Sequence, residues 1–120
     1  MIKILLVDDD PNIRRGLRML LAIEPDFSVV GEAGDGWEAL RLARELQPDV
    51  VVMDIRLPNL DGLSAAERLK KSQPNCAVVV LTLYDEPINR KCAEKIGVTA
   101  FIGKEKSDGA LVNAIRNAVL

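Results

Sequence analysis

The sequence predicts an α/β domain: a five-stranded parallel sheet in the order 2-1-3-4-5 with helices on both faces. Three observations lead there. Short apolar runs alternate five times with segments of helical period, the pattern of a βαβ-built sheet. The first, third and fourth runs (ILLV, VVVM, AVVVLT) are unbroken, as parallel strands covered on both faces must be, whereas SVVGEA and TAFIG carry Gly or polar residues and belong at the edges. Right-handed crossovers with short connections then leave 2-1-3-4-5 as the simplest order.

The elements follow in chain order. ILLV (4–7) leads into PNIRRGLRMLLA, where Asp10 can cap a helix that has Pro11 in its first turn. Ile13, Leu17, Leu20 and Leu21 keep the spacing of one buried stripe on that helix. SVVGEA (28–33) leads into GWEALRLARELQ, opened by Asp35 and Glu38 as a capping box. VVVM (50–53) ends on Asp54, and PNLDG supplies a turn into LSAAERLKKS, with Asp61 as that turn's own polar residue. AVVVLT (77–82) precedes EPINRKCAEKIG, and TAFIG (99–103) precedes a last helix that Ser107 can cap. Trp37 is expected to cover surface.

Composition narrows the class. At 120 residues the chain fits one domain, large enough to bury about two thirds of the surface its unfolded form would expose. No apolar run approaches the roughly 20 residues that cross a bilayer, and MIKILLVDDD meets acid before a signal-peptide core develops. No membrane association and a cytoplasmic location are therefore expected. The net charge of −2, with both signs interleaved, lacks the basic footprint of direct nucleic-acid binding. Cys76 and Cys92 sit in apolar contexts without nearby Cys or His ligands, so both are expected as reduced thiols, buried or half-buried. The absence of His excludes a Ser-His-Asp triad and most zinc sites.

In the order 2-1-3-4-5 the winding reverses between strands one and three, and ligands bind beyond the carboxyl ends of the strands at such a reversal. Asp8 and Asp9 follow strand one, Asp54 follows strand three, Thr82 ends strand four and Lys104 follows strand five. All five are expected to face one crevice. Crowded carboxylates repel by about 4 kcal/mol per close pair at an effective dielectric near 20, and a divalent cation removes that conflict. Oxygen ligands alone favour a hard ion such as Mg²⁺, which shares its shell with phosphate. A carboxylate beside it can attack phosphorus, while Lys104 and the Thr82 hydroxyl neutralise phosphoryl oxygens.

VDD at 7–9, MDIRLPNLDG at 53–62, LT at 81–82 and Lys104 after GVTAFIG resemble the receiver domain of two-component response regulators. The resemblance covers nearly the whole chain. It implies a flavodoxin-like (βα)5 three-layer sandwich, with 1–120 as a single receiver domain and no output domain in this chain. Asp54 would be the phosphoacceptor. Asp8, Asp9, Asp54 and the backbone carbonyl of Arg56 would hold Mg²⁺. Thr82 and Lys104 would bind the phosphoryl group, Phe101 would hold the aromatic switch position, either as a static core ring or a moving one, and Arg56 and Tyr84 would tune phosphoryl lifetime. Both are large, so slow self-dephosphorylation is expected. The implied partners are a histidine kinase or phosphotransfer protein and a second copy through the helix 4/strand 5/helix 5 face. The implied role is a signalling switch, not an enzyme, serving transcriptional regulation. GLRMLLAIEPDFSVVGEAGDGWEALRLA and PDVVVMDIRLP are similar to receivers of the LuxR/NarL type.

Three positions depart from the family pattern. Leu83 stands where a small residue is usual and is expected to narrow access to the phosphoryl group. Glu105 follows Lys104 in place of a cis-forming Pro, so a trans bond is expected. The switch aromatic is Phe rather than Tyr. Two other readings remain open. A Mg²⁺-dependent phosphohydrolase with an aspartate nucleophile usually carries a second acid two residues later, where this chain has Arg56. An interaction module that is never phosphorylated would need neither the acid pair nor the Thr–Lys set.

Overall fold

The computed structural model describes all residues except 105 and 106, and of residues 107 and 108 it describes the backbone alone. The elements are β1 (Ile2–Val7), α1 (Pro11–Ala22), β2 (Phe27–Ala33), α2 (Gly36–Leu46), β3 (Val50–Met53), α3 (Gly62–Ser72), β4 (Ala77–Thr82), α4 (Pro87–Ile96), β5 (Ala100–Gly103) and α5 (Ser107–Ala118). The strands pair in parallel in the order β2-β1-β3-β4-β5, the order expected.

Side-chain alternation along the strands divides the core in two. Leu5, Val7, Val51, Met53, Val78 and Val80 pack under α2, α3 and α4, against Ala39, Ala43, Ala66, Leu69 and Ala93. Their neighbours Ile4, Leu6, Val50, Val52, Val79 and Leu81 pack on the other face under α1 and α5, against Leu21, Leu111 and Ile115. A strand with both faces covered cannot alternate apolar with polar, which is why the three central runs are continuous. Each large buried aliphatic side chain contributes about 1.5–3 kcal/mol, and the rigid centre of the sheet fixes where β1, β3 and β4 end.

The edge strand β2 slips register against β1 between Ile4 and Leu5. Gly31 lies at that step, and a Cβ there would meet Leu46 Cδ1 at 2.7 Å. Asp10 caps α1 by accepting from the Asn12 N–H. Asp35 caps α2 by accepting from the Glu38 N–H, but Glu38 reaches the N–H of Gly34 rather than that of Asp35, so the box closes one residue early. Asp61 caps α3, accepting from both the N–H and the hydroxyl of Ser64. The Ser107 side-chain cap and the Lys104–Glu105 peptide bond lie outside the described residues.

One expectation about the thiols fails. Cys76 is buried, and burial raises its thiol to about 11, but Cys92 is exposed. Only Ala93 is fully buried on α4, so the helix presents a narrow inward face that Cys92 does not share.

Candidate functional site

The carboxyl ends of β1, β3 and β5 bring three of the expected groups to one point and a fourth into contact with two of them. Asp54 follows β3, its N–H donating to the Val7 carbonyl at 3.0 Å, so it prolongs the β1–β3 ladder by one residue. The Asp8 N–H is held in the same way by the Ala33 carbonyl at 3.1 Å. Backbone bonds thus set both acids in the sheet's own frame. Asp9 extends outward and is exposed, whereas Asp8 and Asp54 are buried. Carboxylate oxygens of Asp8, Asp9 and Asp54 lie within 4.8 Å of one another.

Lys104 Nζ donates to Asp8 Oδ2 at 2.7 Å and to Asp54 Oδ2 at 3.3 Å. One ammonium therefore serves two buried acids and leaves the cluster with excess negative charge. Burial pushes the Asp54 carboxyl above its ordinary value, the Lys104 charge opposes this, and the Asp8 charge adds to it. Burial works against the Lys104 ammonium, yet the Asp8 hydrogen bond and the two carboxylate charges leave it raised overall. The second Asp54 oxygen accepts from the Ile55 N–H at 2.7 Å, and the second Asp8 oxygen from the Asp10 N–H at 2.9 Å.

Thr82 is fully buried at the end of β4, and its hydroxyl oxygen accepts from the Tyr84 N–H at 3.0 Å, so the loop after β4 engages it. The Arg56 guanidinium lies over the Tyr84 ring at 4.1 Å. Phe101 is half-buried on β5 under the Arg90 guanidinium at 4.7 Å, and Arg90 also pairs with Asp85. Leu83 is 62% exposed. It lies one residue past the end of β4, and most of its bulk stands in solvent. Trp37 is 49% exposed, with Arg68 over its ring. Asp10 spends its carboxylate on the α1 cap.

Two site-building residues escape a reading of the sequence by type. Arg14 on α1 donates to the Asp8 carbonyl at 2.5 Å, a contact no local spacing announces. Gly62 opens α3 against the site: its N–H donates to the Ile55 carbonyl at 2.7 Å, and a Cβ on it would fall 1.8 Å from the Asp54 carbonyl oxygen.

Residues 4–116 match the family described as the response regulator receiver domain. The chain belongs to that family. Among relatives of this receiver domain, the response regulator GacA of Pseudomonas aeruginosa is 40% identical over 116 residues, covering 97% of this chain and 54% of GacA. The receiver domain thus spans about half the length of the curated relatives it matches. A LuxR-family two-component response regulator from Aurantimonas superposes with a TM-score of 0.93 at 34% identity, covering 98% of this chain and 84% of that one. The signal receiver domain of a NarL response regulator from Mycobacterium tuberculosis superposes with a TM-score of 0.93 at 30% identity, covering 98% and 95%. The LuxR/NarL-type resemblance of this receiver domain holds in both sequence and structure.

Proposed function

We propose that residues 1–120 act as one receiver domain, a phosphorylation-activated switch that takes a phosphoryl group onto Asp54 from a histidine kinase or a phosphotransfer protein. The observation that carries this reading is the bridging of Asp8 and Asp54 by Lys104 within a cluster of three carboxylates. Such a cluster, with one ammonium against three acids, suits a divalent cation better than a purely structural ion pair. Asp8, Asp9, Asp54 and the Arg56 carbonyl would hold Mg²⁺, and an all-oxygen donor set fits that ion. When bound, it neutralises phosphoryl charge.

The remaining work falls to the protein's own residues. An Asp54 oxygen attacks phosphorus, the donor's P–N bond breaks, and its electron pair leaves on the donor imidazole. Asp54 can act this way because the Val7 and Ile55 bonds fix its position. Lys104 already lies between Asp8 and Asp54 and takes one phosphoryl oxygen, while the Thr82 hydroxyl gives up the Tyr84 N–H to donate to another. Loss of that bond frees the loop bearing Tyr84 and Asp85, and with it the Arg90 cover on Phe101. The α4–β5–α5 face then changes. That face serves as a homodimer surface, and the output is transcriptional regulation in the cytoplasm without direct nucleic-acid contact by this domain.

Arg56 takes the position where a phosphohydrolase of the aspartate type would have its second acid, and its guanidinium is stacked on Tyr84. The domain therefore acts as a regulatory phosphoacceptor and not as a turnover phosphatase. Intact mass after exposure to acetyl phosphate and Mg²⁺ tests this directly. The wild type should gain one phosphoryl unit and Asp54→Asn none; uptake by Asp54→Asn, or none by the wild type, overturns the assignment.

A further inference from the structure

The acid loop has a support that the roles assigned above do not include. Arg14 sits one turn into α1 with its side chain only 20% exposed. Its Nη1 donates to the Asp8 carbonyl at 2.5 Å, and its Nε donates to Glu32 Oε1 at 3.0 Å on the edge strand β2. The other Glu32 oxygen pairs with Arg18. A guanidinium fork thus ties the residue that follows β1 to β2. The Asp8 carbonyl is also the first link of the peptide that carries Asp9, the one exposed acid of the cluster.

We infer that Arg14 is a positioning residue for the acidic pocket: its guanidinium holds the Asp8 carbonyl, and so sets the Asp8–Asp9 peptide for a divalent cation. This rests on the reading of the pocket as a metal site given above. A planar fork meets two acceptors in a fixed mutual direction, which a lysine ammonium on a flexible stem cannot reproduce. Asp9 gains from this most, since exposure leaves its side chain without the packing that orders Asp8 and Asp54.

Electrostatics alone predicts the opposite result from positioning. Arg14, Arg18 and Glu32 together carry one net positive charge beside the acids, so deleting Arg14 would by charge alone tighten cation binding. Loss of positioning weakens it. Arg14→Lys separates the two most clearly, because it keeps the charge and loses the fork.

The test is calorimetric titration of the folded protein with Mg²⁺ alone, paired with a denaturant midpoint for each variant. Outer-shell partners of metal ligands typically change affinity by about 10- to 100-fold, so Arg14→Lys and Arg14→Ala should each weaken Mg²⁺ binding by about tenfold. Glu32→Gln, which releases the other side of the fork, should weaken it less. Arg18→Ala, which leaves both Arg14 contacts in place, should bind as the wild type does. Should Arg14→Ala fail to fold, Arg14→Lys and Glu32→Gln carry the test. Lowered midpoints with wild-type Mg²⁺ affinity in Arg14→Lys, or tighter binding in either Arg14 variant, overturn the inference. A wild type that binds no Mg²⁺ overturns the metal-site reading itself and this inference with it, whereas a binding wild type with an equally binding Arg14→Lys overturns this inference alone.

Discussion

The Arg56 guanidinium rests on the face of the Tyr84 ring, 4.1 Å from its centroid, and so joins the loop after β3 to the loop after β4 across the mouth of the acidic pocket. The two side chains cover the approach as one unit, because a stacked cation and ring hold each other in place. Partly exposed pairs of this kind are worth about 0.5–1 kcal/mol, which is a factor of about 2–5 in a rate. Together they shield one side of the approach by which water would reach a phosphorylated Asp54. Arg56→Ala and Tyr84→Ala should each shorten the phosphoryl half-life several-fold, and the double variant should lose no more than the worse single one. The measurement is the decay of the phosphorylated mass in Mg²⁺ after the donor is removed. Additive losses would mean that the residues act separately, and a wild-type half-life of seconds would remove the case for a cover.

Asp54 is held in its charged form at a cost that depends on pH. Its carboxyl is raised, first by burial and then by the Asp8 charge, with Lys104 opposing. The folded state therefore binds more protons than the unfolded state from the ordinary carboxylate value of 3.8 up to the raised one. By linkage, this group's contribution makes stability fall as pH rises through that window, and the cost persists at neutral pH. Asp54→Asn removes the cost and leaves Lys104 on Asp8 at 2.7 Å. The variant should unfold at a higher denaturant concentration than the wild type at pH 7, and the difference should shrink as pH is lowered towards 4. A variant less stable at pH 7 would show that the Lys104 bond outweighs the burial.

The sequence patterns that proved informative share one property: each depends on a period or on a neighbour in the chain. Continuous apolar runs mark β1, β3 and β4 because both faces are covered, and the Gly and polar residues of SVVGEA mark the edge strand β2. Asp10 and Asp35 serve as caps because the N–H groups whose hydrogen bonds they accept lie two and three residues on. The family motifs name Asp8, Asp9, Asp54 and Lys104, which the fold brings together. What escaped depends on helix phase or on distant partners. Cys92 is apolar by type but misses the narrow buried face of α4. Leu83 is bulky by type yet stands mostly in solvent, one residue past the end of β4. Arg14 reads as one more cation on a solvated helix until the fold brings its guanidinium to the Asp8 carbonyl.

Lys104 supplies the only cation bonded to the carboxylates of the acid cluster among the described residues. Breaking a buried pair by removing one partner costs about 3–5 kcal/mol. Solvent reaches this pocket through the exposed Asp9, so Lys104→Met should cost less, about 1–3 kcal/mol. The variant should also gain more stability from Mg²⁺ than the wild type does, since a divalent ion would then relieve an unscreened repulsion. Denaturant unfolding with and without Mg²⁺ measures both effects. Equal Mg²⁺ stabilisation in the two proteins would show that Lys104 and the metal do not share the same charge.

Gly62 links the first turn of α3 to the backbone of Asp54. A methyl group there would sit 1.8 Å from the Asp54 carbonyl oxygen and 3.0 Å from Ile55 Cα, both backbone atoms that no rotamer change can clear. Either α3 retreats or the Asp54–Ile55 peptide turns. Retreat pulls the Gly62 N–H from the Ile55 carbonyl and loosens Leu63, Ala66 and Leu69 from the core. Rotation of the peptide instead disturbs the Ile55 N–H bond to the Asp54 side chain. Overpacking of this kind costs about 1–3 kcal/mol and sometimes more, so Gly62→Ala should lower the denaturant midpoint accordingly. It should also slow phosphoryl uptake from acetyl phosphate by more than the loss of folded protein explains, because the displaced atom belongs to Asp54 itself. Gly16 has no neighbour within 4 Å of an added Cβ, and Gly16→Ala provides the control. It should leave uptake unchanged and raise stability by up to about 1 kcal/mol through helix propensity. Wild-type uptake per folded molecule in Gly62→Ala would show that the helix, and not Asp54, takes up the strain.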